Sequence, residues 1–134
     1  MDAIPGVREI ERRYERELRA DEAPGGPSSL ADDALTVVLE WGPAKRLSET
    51  WRLERRQPSA SAAERASALA ASHEVTRAAY DLTSEAWPRD GREDPADVDR
   101  VAAEALETLS LRYPQLMRAS LRRAIGLANY THAK

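Results

Sequence analysis

Ser61-Ala62-Ala63-Glu64 has the form of a capping box, and the next residue that must stop a helix is Pro88. The hydroxyl at the first position and the carboxylate three residues on each satisfy a free backbone N–H of the other, so a helix starts here and nothing ends it for about 25 residues. Nine alanines lie between Ala62 and Ala86. The polar arc of this segment is confined to Glu74, Arg77, Asp81, Ser84 and Glu85. Two further stripes can be buried, Ala68, Ala71, Val75, Ala79, Leu82 and Ala86 on one side and Leu69, Tyr80 and Trp87 on another. A helix that is apolar or small over most of its circumference belongs in the middle of a bundle, where alanine lets its neighbours approach closely.

The flanking segments carry helix punctuation and almost no strand signal. There is no sustained alternation of apolar and polar residues and no Asn-Gly or Asp-Gly pair between apolar runs. Pro5 suits a first helical position, and Val7, Ile10, Tyr14 and Leu18 follow on one narrow stripe. Residues 23–29, which hold Pro24, Gly25, Gly26 and Pro27, form a linker. Ser29 caps a second helix bearing Leu30, Ala34, Val37, Val38 and Trp41, and Gly42 ends it. Pro43 opens a third that runs to Pro58 with Leu47 and Trp51 facing inward. Asp94 and Pro95 start a fifth with Val98, Val101, Ala105, Leu106 and Leu109 on one face. Tyr113-Pro114 separates it from a sixth that carries Met117, Leu121, Ala124, Ile125 and Ala128.

The expected structure is therefore all-α, a compact bundle of five to six helices around the long alanine-rich helix at about 61–87. It is read as one domain over residues 1–134, with residues 1–22 a helix that the linker makes separable. Of the 134 residues 24 are alanine, and phenylalanine is absent, so close helix packing has to stand in for bulky core residues.

Composition excludes several classes of chemistry. With no cysteine there is no disulfide, thiol nucleophile or cysteine zinc site, and no apolar run reaches the length of a membrane span. A cytoplasmic protein with no membrane partner is the expectation. His73-Glu74-Val75-Thr76-Arg77 places arginine where the zinc helix H-E-x-x-H needs its second imidazole. The acidic stretch 90–97 lacks the alternating oxygen ligands of a calcium loop, and its acids read as helix caps. No phosphate-binding glycine loop or nucleophile elbow occurs, and no pair of carboxylates stands out. The sequence thus supplies no catalytic residue, no metal ligand and no cofactor site, and gives an enzyme no support.

Charge is more informative than motif. The net charge is −3, but residues 91–112 hold six acids and three bases while residues 113–134 hold no acid and four bases, Arg118, Arg122, Arg123 and Lys134. Either the last two helices neutralise each other across their rim, or Arg118, Arg122 and Arg123 form an anion-contacting patch. A second basic cluster lies at Lys45, Arg52 and Arg56, and helices two and three around Gly42 have the order of a helix-turn-helix. The narrow stripe Val7, Ile10, Tyr14 and Leu18 has the width of a seam between two helices, suited to a partner or a second copy of the chain. The functional expectation is a non-catalytic protein–protein interaction module, an adaptor, inhibitor or regulatory subunit able to self-associate as a homodimer. The alternative is a nucleic-acid-associated regulator that uses the basic helix at 43–57 or at 114–131.

Overall fold

The computed structural model describes residues 6–20 and 28–134. Among these lie six α-helices and no strand: α1 Val7–Ala20, α2 Leu30–Leu39, α3 Glu49–Arg56, α4 Ala62–Thr83, α5 Pro95–Arg112 and α6 Arg118–Ala133. The fold is all-α, and its longest helix is the alanine-rich one. No described helix is long and apolar enough to cross a membrane. The helix start at Pro5 and linker residues 23–27 lie outside the described residues. The chain divides into two compact units within α4, Met1–Leu69 and Ala70–Lys134.

In the first unit, the Ser29 hydroxyl accepts from the Asp32 backbone N–H at 3.1 Å and opens α2 as its sequence requires. The segment expected to be one helix from Pro43 to Gln57 is split. Gly42–Arg46 forms a single 3₁₀ turn, Leu47 is extended at φ −89° and ψ 143°, and Ser48 caps a fresh start at α3 by accepting from the Trp51 N–H. Gly42 itself sits at φ +81°, a left-handed conformation that glycine adopts without a Cβ clash. Two apolar clusters hold the unit together. Ala34, Val37, Leu53 and Leu69 join α2, α3 and the start of α4, while Ile10, Tyr14 and Leu47 join α1 to the 3₁₀ turn.

In the second unit, α5 buries Val101, Ala105, Leu106 and Leu109, and α6 buries Leu121, Ala124, Ile125 and Ala128, each at spacings of three and four. The two helices pack together, and α5 also meets the 3₁₀ turn Ser84–Ala86 that extends α4. Asp94 caps α5 through the Ala96 N–H, with Pro95 at the first helical position, as read from the sequence. The sixth helix starts at Arg118 instead of Pro114, because Tyr113 and Leu116 are buried in the intervening turn and the Leu116 N–H donates to the Tyr113 carbonyl. The far end of α6 is fastened by the Trp87 Nε1–H donating to Asn129 Oδ1 at 3.0 Å, and His132 stacks on Tyr80 with ring centroids 3.9 Å apart.

The burial of α4 is one-sided. Leu69, Ser72, Val75, Ala79 and Thr83 are buried, every residue of the predicted polar arc is exposed, and so are Ala62, Ala63, Ala66 and Ala70. Alanine in the first turns therefore serves helix propensity more than close packing. The helix starts with both halves of its capping box made, the Ser61 N–H donating to Glu64 Oε1 at 2.8 Å and the Glu64 N–H to Ser61 Oγ at 3.0 Å. Hydrogen bonding from the Ser61 backbone N–H, and after it from the Ser61 side chain, holds the Glu64 carboxyl below the usual carboxylate range. Replacing Ser61→Ala is expected to cost about 1 kcal/mol in urea-induced unfolding with little change in helical circular dichroism. An unchanged midpoint would show that the start of α4 does not depend on its cap.

Candidate functional site

Two places concentrate polar and apolar chemistry, one buried in the first unit and one exposed in the second. The buried one centres on Glu40. Arg52, only 3% exposed, donates from Nε to the Leu47 carbonyl at 3.1 Å, and from Nη1 to the Val37 carbonyl at 2.9 Å and to Glu40 Oε1 at 3.1 Å. The Tyr14 hydroxyl donates to the same Glu40 oxygen at 2.8 Å and accepts from Arg56 Nε at 2.9 Å. Arg56 Nη2 closes the ring on Glu40 Oε2 at 3.0 Å, and its Nη1 lies 3.9 Å from Asp33 Oδ1. Gln57 donates to Asp33 Oδ2 at 2.7 Å and to the Ser28 carbonyl at 2.9 Å.

A half-buried carboxylate between two guanidiniums and a phenol is stable only when the polar atoms taken out of water are paired, and none of the buried side-chain atoms in this cluster lacks a hydrogen-bond partner. Burial, offset in part by Arg56, pushes the Tyr14 phenol up to about 12, so the hydroxyl keeps its proton at neutral pH. With no nucleophile or base free inside it, the cluster acts as a fastener between α1, α2 and α3.

The structure takes Arg52 and Arg56 into this fastener and off the basic surface expected around Lys45; Lys45 is exposed. Of the α1 seam, Ile10 and Tyr14 are buried against the chain's own Leu47, Leu18 is half-buried beside them, and Val7 is half exposed. The seam is thus occupied from within the first unit. Trp41, expected inward on helix two, is 74% exposed. The reason is local: α2 ends at Leu39 and the next residue, Glu40, enters the fastener, so the residue after it is turned out. Trp41 borders a cleft of about 150 Å³ with Ile10, Arg13, Tyr14, Glu17, Pro43 and Ala44.

The exposed place is the corner between α5 and α6. Leu111 is 85% exposed and Met117 is 61% exposed. Arg118 Nη2 lies 2.6 Å from Glu107 Oε1, and Nη1 donates to Ser110 Oγ at 3.4 Å, which ties the first turn of α6 to the last turns of α5. Arg100 pairs with Asp97 and Glu104 inside α5, and Asp94 caps its start. Arg112 and Arg122 are exposed with no acid in ion-pair contact among the described residues, and Arg123 is exposed with a bond to Ser120 Oγ at 3.4 Å.

The helical spacing groups Met117 with Leu121, Ala124, Ile125 and Ala128 and leaves Leu111 out of the α5 stripe. The signal for Leu111 was present: two positions beyond Leu109 is about 200° around the helix, away from the buried face. Glu40 gave no such signal, since a single acid at a helix end has no periodicity. Among the described residues no three of His, Asp and Glu come together as a metal site. The exposed His73 and the stacked His132 stand at different points of the second unit.

The chain matches no family model, no curated protein and no solved structure. Its residues and their geometry alone carry the functional reading.

Glu40→Ala, which strands two guanidiniums, is expected to lower stability by about 3 kcal/mol, measured by urea unfolding. Loss of less than about 1 kcal/mol would mean that water replaces the carboxylate freely. Tyr14 gives a separate test. Its phenol titrates higher folded than unfolded, so its contribution is complete below about pH 10 and is lost as pH rises toward about 12. Tyr14→Phe should flatten that part of the stability–pH curve, and an unaltered curve would remove Tyr14 as its source.

Proposed function

We propose that the chain is a non-catalytic protein–protein interaction module. The observation that carries this reading is the α5–α6 corner, where Leu111 and Met117 stand in solvent on either side of a turn that the Arg118–Glu107 contact bridges. An exposed leucine alone is ordinary on a protein surface. Two large apolar side chains on either side of one turn, with Arg112 and Arg122 meeting no acid among the described residues, form the kind of anchor that binding surfaces place at their centre. The solvent-exposed Trp41 supports the same reading from the other unit.

Nucleic-acid binding is less well supported. Arg52 and Arg56 of the expected basic helix are held by Glu40, and Arg118 is held by Glu107. A phosphate approaching the corner would meet a carboxylate and two apolar side chains.

Light scattering over a range of concentrations, together with affinity capture, tests the module. The wild-type chain should either self-associate or retain a protein, and the double variant L111S/M117S should do neither while keeping its helicity and urea midpoint. A chain that stays monomeric at every concentration and retains no protein overturns the reading.

A further inference from the structure

The Glu107–Arg118 and Ser110–Arg118 contacts define which residues of the corner lie side by side. Glu107, Ser110 and Leu111 share one face of α5, since they are spaced by three and four positions, and Arg118 grips the first two of them. Leu111 therefore continues the face on which Arg118 lies. Met117 precedes Arg118 directly, and Arg122 follows it one helical turn later on the same side of α6. Arg112 adjoins Leu111 at the end of α5, where its positive charge also suits the helix dipole. Glu107 neutralises Arg118, but Arg112 and Arg122 have no such partner among the described residues. The stretch from Arg112 to Lys134 contains no acid at all. The corner thus carries two exposed apolar side chains, Leu111 and Met117, with Arg112 next in sequence to Leu111 and Arg122 one helical turn beyond Arg118, neither meeting an acid among the described residues.

We propose that this corner is a docking surface for an acidic segment of a partner protein, one whose apolar side chains cover Leu111 and Met117 while its carboxylates meet Arg112 and Arg122. Charge complementarity selects the occupant. Arginine presents a planar fork of donors to a carboxylate, and a pair formed beside a desolvated apolar contact is screened less by salt than one in open solvent. A basic or neutral segment would leave both arginines unpaired. The cleft beside Trp41 does not select in this way, because its lining sets Arg13 against Glu17. The inference rests on the interaction-module reading and adds to it the surface and the chemistry of the partner.

The test uses the full chain and fluorescence anisotropy with two labelled synthetic helical peptides. Both carry leucine at alternating spacings of three and four, with glutamate at the remaining positions in one and lysine in the other; a duplex oligonucleotide is the third probe. The acidic peptide should bind, more weakly as salt is added, and the basic peptide should not. Leu111→Ser and Arg122→Glu should each weaken binding about tenfold, equivalent to about 1.4 kcal/mol, and Arg122→Lys should largely retain it. Circular dichroism of each variant separates loss of binding from loss of fold. Equal binding of the two peptides, no binding of either, or indifference to Leu111→Ser and Arg122→Glu overturns the proposal. Binding of the duplex that is lost with Arg122→Glu but not with Leu111→Ser replaces it with a nucleic-acid surface. If the wild-type chain captures a protein and the corner variants capture it equally, the module stands and the corner does not. If it captures none and stays monomeric, both fail.

Discussion

A guanidinium removed from water must be paired or it costs the fold several kcal/mol, and Arg52 is such a group. Its donors reach the end of α2 at Val37, the exit of the 3₁₀ turn at Leu47 and the carboxylate of Glu40. Each partner has to be where it is for the charge to be tolerated. That requirement ends α2 at Leu39, draws Glu40 inward, turns Trp41 outward and separates the 3₁₀ turn from α3 at Leu47. The same carboxylate then receives Tyr14, so α1 is fastened by the group that balances Arg52. Lost locally, this one pair would loosen three helices together.

The second unit is organised differently. Its helices meet through alternating leucine, alanine, valine and isoleucine, and its polar contacts lie at the edges: Asn129 with Trp87, His132 with Tyr80, Arg118 with Glu107. Exposed ion pairs contribute little stability, so the Arg118–Glu107 pair matters more for the shape of the turn than for holding the helices together. It joins α5 to α6 beside the exposed Leu111 and Met117. The apolar anchors of the proposed docking surface thus lie beside a contact whose own energetic contribution is small.

Much of the fold was legible because its signals are local. Ser29, Ser61 and Asp94 mark their helices through hydrogen bonds within three residues, and the stripes of α5 and α6 follow from helical period alone. The polar arc of α4 was legible for the same reason. The start of α6 was not, because Leu116 is buried by its tertiary surroundings and so keeps residues 114–117 in a turn that Pro114 could equally have begun as helix. The basic faces were the least legible. Arginines at 52, 56, 118 and 122 look alike in a sequence, and only their partners distinguish a buried fastener from a free surface charge.

The sequence by itself determined an all-α chain, the places where its caps start helices, the exclusion of cysteine chemistry, and the opposed charges of the last two helices. These depend on composition and on residues within one or two turns of each other. The tertiary structure alone decided that Tyr14 faces Glu40 across 26 residues, that Arg52 is interior, and that Arg118 meets Glu107 while Arg112 and Arg122 meet no acid among the described residues. The reason is that a charge has no preferred place until its counter-charge is positioned, and that positioning belongs to the packing of helices distant in sequence.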